Sequence, residues 1–215
     1  MGQQAINLAI SKDGAFSSDD ADIGRMVETF ADKNYPFQTE EGLTFLQTVL
    51  NDNRVREVVR SSLERPGLGM FKVFGPHPRT ARALLNRTTD EMLALNVLLC
   101  RSRSRVILHE GSQKYELDAK PGGTGLLELP REAMDAPGIQ AEEVLMNEGG
   151  LIITDGRLFT TVLEGVGIAV GFAAEKELEE WGKMPWPESL EKIVAEMETD
   201  VIKMNFKFVE DRRSR

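Results

Sequence analysis

Apolar side chains recur at helical spacing through the first third of the chain. Ile23, Met26, Val27 and Phe30 predict a helix over Ala21–Asp32, with Asp19 or Asp20 as its cap. Leu43, Phe45, Leu46, Val49 and Leu50 predict a second helix, opened by Thr39-Glu40-Glu41. Val55, Val58, Val59 and Leu63 predict a third over residues 54–63, capped by Asp52 or Asn53 and ended by Pro66-Gly67. Residues 5–10 read as a short strand or arm, and residues 70–74 as a short strand. A short helix over 79–86 follows the rigid turn Gly75-Pro76-His77-Pro78. Residues 88–99 then read as a helix apolar over much of its circumference, carried by Met92, Leu93, Leu95, Val97 and Leu98.

After Cys100 the period changes to two. Arg101, Arg103 and Arg105 alternate, so on a strand they would project from one face. Short strands are predicted over 106–108, 114–117, 125–129, 143–146, 151–154, 157–162 and 167–172, with Gly111-Ser112, Pro121-Gly122-Gly123, Gly149-Gly150 and Asp155-Gly156 as turns, the last a tight-hairpin signal. An acidic helix over 173–182, a last amphipathic helix opened by Pro187 or Glu188, a closing strand over 201–209 and a basic tail over 211–215 complete the reading. This order predicts an α+β fold with a helical N-terminal half and a mainly antiparallel remainder. It divides into a helical subdomain (1–100) and a β-rich subdomain with C-terminal helices (101–215), or forms one continuous domain.

At 215 residues with 41% hydrophobic side chains, the chain is long enough for a core without disulfides or metals. Its one cysteine, Cys100, ends an apolar run and is expected to be buried. No signal peptide is visible at residues 1–10. The most apolar window, residues 162–174, contains Glu164 and falls short of the roughly 20 residues that a membrane span needs. A cytoplasmic protein with no membrane partner is expected, or a virion component if the chain builds a particle.

Charge is segregated. The chain carries 26 Lys+Arg against 35 Asp+Glu, yet residues 54–105 hold eleven basic side chains (ten of them arginine) against four acidic ones. Arginine forks bind phosphate bidentately, so this stretch is a candidate nucleic-acid or anion surface. Arg56 and Arg60 share a helix face, Arg79 and Arg82 fall in one predicted first turn, and Arg101, Arg103 and Arg105 alternate. His77, beside Arg79 at the same predicted helix N-terminus, joins them as a candidate anion contact. The opposing reading pairs these arginines with the protein's own acidic segments or with those of a neighbouring subunit.

Leu127, Leu129 and Pro130, then Gly138 and Ile139, then residues 142–146 and 151–154, form an apolar strand, a proline-opened turn, a glycine cap and two further strands. This segment, about residues 125–154, resembles the AbrB/MraZ-type swapped-hairpin DNA-binding domains. The resemblance implies DNA contact or dimerisation. The segment departs from that family at Met134, where a basic residue is usual, and in its acidic character.

No metal-ligand spacing, nucleophile motif or phosphate-binding loop is present, so no cofactor and no metal are expected. Trp181, Met184 and Trp186 could form a partner-docking patch or anchor the last helix. The leading reading is a non-enzymatic, regulator-like nucleic-acid-associated protein. The alternative is an assembly subunit of a homo-oligomer or viral-type particle, held by contacts between the basic middle and the acidic C-terminal part. Behind both stands an enzyme acting on a small anionic substrate through His77, Arg79 and Arg82.

Overall fold

The chain is seen in a computed structural model that describes residues 3–198 and 202–211. The first residue of the predicted closing strand and four of the five residues of the basic tail lie outside the described residues. Four helices come early: α1 (Gln3–Asp13), α2 (Ala21–Asp32), α3 (Glu40–Asn51) and α4 (Asn53–Ser62), with β1 (Ala15–Asp19) between the first two. Side-chain caps set their starts. Asp20 accepts from the backbone N–H groups of Asp22 and Ile23, Thr39 from Gly42, and Asp52 from Arg54. The Arg54 guanidinium bridges Asp20 and Asp52, which ties the caps of α2 and α4 together.

The strands are shared between two six-stranded sheets, and the chain crosses from one to the other several times. The first contains β1, β2 (Gly67–Phe74), β4 (Ala94–Cys100), β9 (Gly150–Asp155), β11 (Gly167–Ala173) and β13 (Lys203–Met204), in the order β1-β9-β4-β11-β2-β13. The second contains β3 (Thr80–Ala83), β5 (Ser104–Glu110), β6 (Lys120–Pro121), β7 (Leu127–Pro130), β8 (Gln140–Met146) and β10 (Thr160–Glu164), in the order β6-β7-β3-β10-β5-β8. A short helix α5 (Glu175–Leu178), β12 (Met184–Pro187), helix α6 (Glu191–Met197) and β14 (Phe206–Val209) close the described chain, with β12 and β14 pairing in parallel.

The inner faces of the two sheets share one core. Met70, Phe74, Leu98, Ile152 and Ala169 of the first meet Val106, Leu108, Met146 and Val162 of the second. The outer face of the first sheet (Phe71, Leu95, Val97, Leu99, Ile153, Val170, Phe172) packs under the apolar stripes of α1–α4. Strands from both sides of Cys100–Ser104 pair within the same sheets, β4 with β9 and β11. Among the described residues no helix is long and apolar enough to cross a membrane.

The class is mixed helix and strand, but the helical part ends at Ser62 rather than near residue 100. Residues 79–86 hold strand β3, and residues 94–100 hold strand β4 instead of a helix. The physical reason is burial on both faces. β4 is covered by helices on one side and by the second sheet on the other, so its apolar run is nearly continuous and carries no period of two. In the opposite sense, residues 5–10 belong to helix α1, and residues 114–117 are not a strand. The acidic helix predicted over 173–182 shrinks to α5.

The punctuation of residues 125–154 is present, but its topology is not that of a swapped hairpin. Pro130 precedes a single 3-10 turn, Arg131–Met134, and Gly138 has φ +88°. However, β8 pairs with β5 and β9 with β1 and β4, so the two expected hairpin strands lie in different sheets.

Candidate functional site

The arginine-rich stretch does not assemble into one basic face, because most of its guanidinium groups meet the protein's own carboxylates. Arg54 pairs with Asp20 and Asp52, Arg65 with Glu175, Arg82 with Glu128, Arg87 with Glu177, and Arg105 with Glu143 and Glu164. Arg56 and Arg60 share the neighbouring Glu57 on α4. Arg101 and Arg103 lie in the turn before β5, with Arg103 at φ +59°, so only Arg105 of the three is on the strand. Among the described residues Arg79, Arg101 and Arg103 make no ion pair within 4.0 Å. His77 is exposed in the turn between β2 and β3. Its backbone N–H donates to Val162, and since a strand follows, no helix N-terminus exists there to hold an anion.

The concave ground lies at the mouth of the barrel, beside β2. One cleft of about 720 Å³ is walled by Tyr35, Phe37, Phe71, Phe74 and Trp186. A second space of about 590 Å³ is walled by Met70, Leu84, Leu126, Glu177 and Trp181. The two share Lys72, Met184 and Pro185. Local structure explains the aromatic wall. Asn34 and Tyr35 take positive φ at the end of α2, which turns the chain so that Tyr35 and Phe37 stack at 6.2 Å and Phe37 meets Phe71 edge-on at 4.6 Å. Trp186 is 2% exposed and stacks on Phe206, so it is a wall of the cleft rather than a free docking residue. Trp181 and Met184 are half-buried, and the Trp181 indole N–H donates to Glu177 at 3.0 Å.

Lys72 sits where the two spaces join and donates to the Thr124 carbonyl. Behind it, inside the barrel, Arg82 Nε donates to Glu128 Oε1 at 2.8 Å, and Thr124 Oγ1 donates to the same carboxylate at 3.2 Å. The Arg82 hydrogen bond holds the Glu128 carboxyl below its usual value of 4.5, against the opposing effect of burial. Deeper still, Phe74, Arg82, Leu84, Asn96 and Thr160 border a cavity of about 20 Å³, room for one water. Asn96 Oδ1 is buried there without a partner.

Two further groups look reactive by type but are closed off. His109 Nε2 lies 3.0 Å from Thr161 Oγ1, a base beside a hydroxyl, yet His109 is 1% and Thr161 0% exposed. The Cys100 thiol is fully buried, and burial pushes it up to about 12.

A helix-backed pair of packed, mainly antiparallel sheets between which the chain crosses repeatedly has the architecture of a jelly roll, and comparison with solved structures places this chain in that fold. AviO1 from Streptomyces viridochromogenes Tue57 aligns with TM-score 0.53 over 81% of this chain and 96% of its own, at 12% identity. The epimerase SnoN, in complex with Fe3+, alpha ketoglutarate and nogalamycin RO, aligns with TM-score 0.54 over 80% of this chain and 83% of its own, at 13% identity. HygX from Streptomyces hygroscopicus with iron bound aligns with TM-score 0.54 over 80% and 87%, at 11% identity. No protein-family model matches the chain, and no curated protein matches it. At these identities the likeness is one of fold, a cupin-like jelly roll.

That fold corrects the swapped-hairpin resemblance, since the matches extend over about four-fifths of the chain and the strands of residues 125–154 are divided between its two sheets. It also corrects the nucleic-acid reading and the expectation of a non-enzymatic protein, because the fold is shared with an epimerase and with iron-bound HygX, and it lends the particle-subunit reading no support. The arginines that suggested phosphate contact are largely consumed in ion pairs.

The neighbours raise the question of iron. A non-haem iron centre of the familiar kind needs two imidazoles and a carboxylate on one face. This chain has only His77 and His109. His77 is in an exposed turn, and His109 is sealed against Thr161. Among the described residues no group of three or more His, Cys, Asp or Glu side chains could hold a metal. The barrel interior offers an ion pair, an amide and apolar side chains instead, so its residues do not fit an iron site. Sequence reasoning picked out Arg82 and Trp181 for other roles. It missed Lys72 and Glu128, whose only sequence signal was a polar residue within a predicted apolar strand, and Asn96, which fell within a predicted helix.

Proposed function

We propose that this chain binds a small organic anion with a flat, apolar body at the barrel mouth, and that whatever chemistry follows there does not pass through iron. The reading rests on one observation: Lys72 stands at the junction of the two spaces, the aromatic cleft on one side and the Trp181 space on the other. Volumes of this order and mainly apolar walls with few polar groups are those of small-molecule sites. An ammonium has three donors, so with one on Thr124 two remain for a ligand carboxylate. This is the small-anion reading of the sequence with its centre moved from the His77 turn to Lys72. The iron and alpha ketoglutarate of SnoN are not carried over, because the donor set is missing.

Trp181 and Trp186 both line the site, so their fluorescence reports occupancy. Titration with naphthoate, a flat aromatic carboxylate, is expected to change that emission saturably. Lys72→Met is expected to weaken naphthoate about tenfold, roughly 1.4 kcal/mol, and to leave the neutral naphthylmethanol unchanged. Elemental analysis of the purified protein is expected to find no stoichiometric iron. Naphthoate binding that ignores Lys72→Met would remove the anion site, and one iron per chain would remove the metal-free reading.

A further inference from the structure

Strand β2 is covered unequally on its two sides. On one side it pairs with β11 from Gly67 to Phe74, apart from Gly69, which the register skips as a bulge. On the other side β13 covers only Gly67 and Leu68. The last bond there runs from the Asn205 N–H to the Leu68 carbonyl. The chain then leaves β2 as β14, which pairs with β12 instead. Among the described residues no strand pairs with Gly69–Phe74 on this side, so that length of sheet edge is open.

The open edge borders the candidate site along its whole length. Gly69, Met70 and Lys72 line the Trp181 space, and Phe71, Lys72, Val73 and Phe74 line the aromatic cleft. An unpaired edge keeps backbone N–H and C=O groups free on alternate residues, which is a template for an added strand. Alternation also sets what such a strand would meet. Met70 and Phe74 point between the sheets, and Phe71 points towards the helices. Lys72 therefore lies on the between-sheet side, where it reaches the Thr124 carbonyl. Val73 shares the helix side with Phe71, where Tyr35 and Phe37 stand.

We infer that the barrel mouth takes a short extended peptide, added as a strand along Gly69–Phe74, in which an acidic residue neighbours an aromatic one. Its carboxylate is the anion and its ring the flat apolar body of the site proposed above, so the inference rests on that reading and adds main-chain pairing to it. The acidic residue sits across from Lys72 as an opposite-charge pair. Its neighbour points to the other face and enters the aromatic cleft beside Phe71 and Phe37.

Titration of the full chain with blocked tetrapeptides, read by tryptophan emission, tests this. The probes are acetyl-Val-Glu-Phe-Val-amide, its counterpart with Gln for Glu, and the Glu peptide N-methylated at both central amides. N-methylation keeps the side chains and removes the donor that faces β2. Each change is expected to weaken binding about tenfold. Lys72→Met is expected to erase the preference for Glu over Gln. Amide hydrogen exchange within Gly69–Phe74 is expected to slow with the Glu peptide and not with naphthoate. Equal affinity of the N-methylated peptide would overturn strand addition and mean that Lys72 only guards the edge, with the anion site still standing. A Glu peptide that fails to bind while naphthoate still depends on Lys72 would do the same. A preference for Glu that survives Lys72→Met would overturn the placement of the carboxylate. Failure of both the peptide and naphthoate would remove the anion site as well.

Discussion

Arg82 of β3 and Glu128 of β7 face each other across a strand pair, Nε to Oε1 at 2.8 Å, with the guanidinium carbon 5.7 Å from the centre of the Phe74 ring. The Arg82 side chain is 11% and the Glu128 side chain 26% exposed. Breaking such a pair from one side strands a charge, whereas replacing both partners with apolar groups does not. Glu128→Gln is therefore expected to destabilise the fold by about 2 kcal/mol. The double variant Arg82→Met/Glu128→Leu is expected to regain most of that loss. Urea denaturation of the wild type, both single variants and the double variant measures the coupling. Since the Glu128 carboxyl is depressed when folded, its share of stability is present above its usual value of 4.5 and is lost as pH falls through the depressed value.

Much of the scaffold was legible in the sequence, and the failures have a common cause. α2 was predicted over its observed span, because a single apolar stripe and an aspartate cap speak for themselves. β11 was legible for similar local reasons, whereas Asp155-Gly156 is a turn but not the tight hairpin its residues predict, because β9 and β10 lie in different sheets. β4 was not, since a strand buried on both sides has no alternation to read. The site was less legible still. Lys72 and Thr124 are 52 residues apart and are joined only where the two sheets meet, while Arg82 and Glu128 are 46 apart and are joined by the long-range pairing of β3 with β7. The arginine run misled because linear charge density says nothing about which carboxylates fold back onto it, as Glu175 and Glu177 do onto Arg65 and Arg87.

His109 gives stability a pH dependence of one sign. Burial, reinforced by the Arg131 charge and opposed by Asp135, lowers it from 6.5 to about 4. Between those values the unfolded chain takes up a proton that the native imidazole refuses, so stability falls as pH drops from about 6.5 towards 4. The full effect is about 3 kcal/mol. His109→Gln is expected to abolish this slope, which chemical denaturation at a series of pH values would reveal.

Glu110 gives a slope of the other sign. Burial, then the hydrogen bond and charge of Glu142 and the charge of Asp13, opposed by Lys12, push its carboxyl up to about 7. Here the native state holds a proton that the unfolded chain releases, so stability falls as pH rises from about 4.5 to about 7. The two slopes overlap and partly cancel, and the wild type is expected to be flatter than either variant. Glu110→Gln should expose the His109 slope in full. A wild-type profile as steep as that of Glu110→Gln would remove the opposing contribution of Glu110.

Cys100 is expected to ignore a thiol reagent in the native state. The side chain is 0% exposed, and its thiol is held near 12, so almost no thiolate exists at neutral pH. Ellman's reagent should titrate one thiol only after denaturant is added. Rapid reaction in native buffer would mean that the barrel core opens locally.

Gly24 is where α2 is seated on the first sheet. A Cβ there would stand 2.0 Å from the Glu148 carbonyl oxygen and 3.1 Å from the Gly149 Cα, both backbone atoms that cannot swing away. In an open helix interior, glycine to alanine stabilises by roughly 1 kcal/mol. Here the overlap outweighs that gain, and Gly24→Ala is expected to destabilise by about 2 kcal/mol or more as α2 lifts from the β8–β9 turn. Gly182, with nothing within 4 Å of its own added Cβ, is the control. Gly182→Ala should lie within about 0.5 kcal/mol of wild type. Thermal denaturation of the two variants side by side distinguishes a close approach from a general intolerance of alanine. Equal stability of the two would show that the α2 contact is looser than its geometry implies.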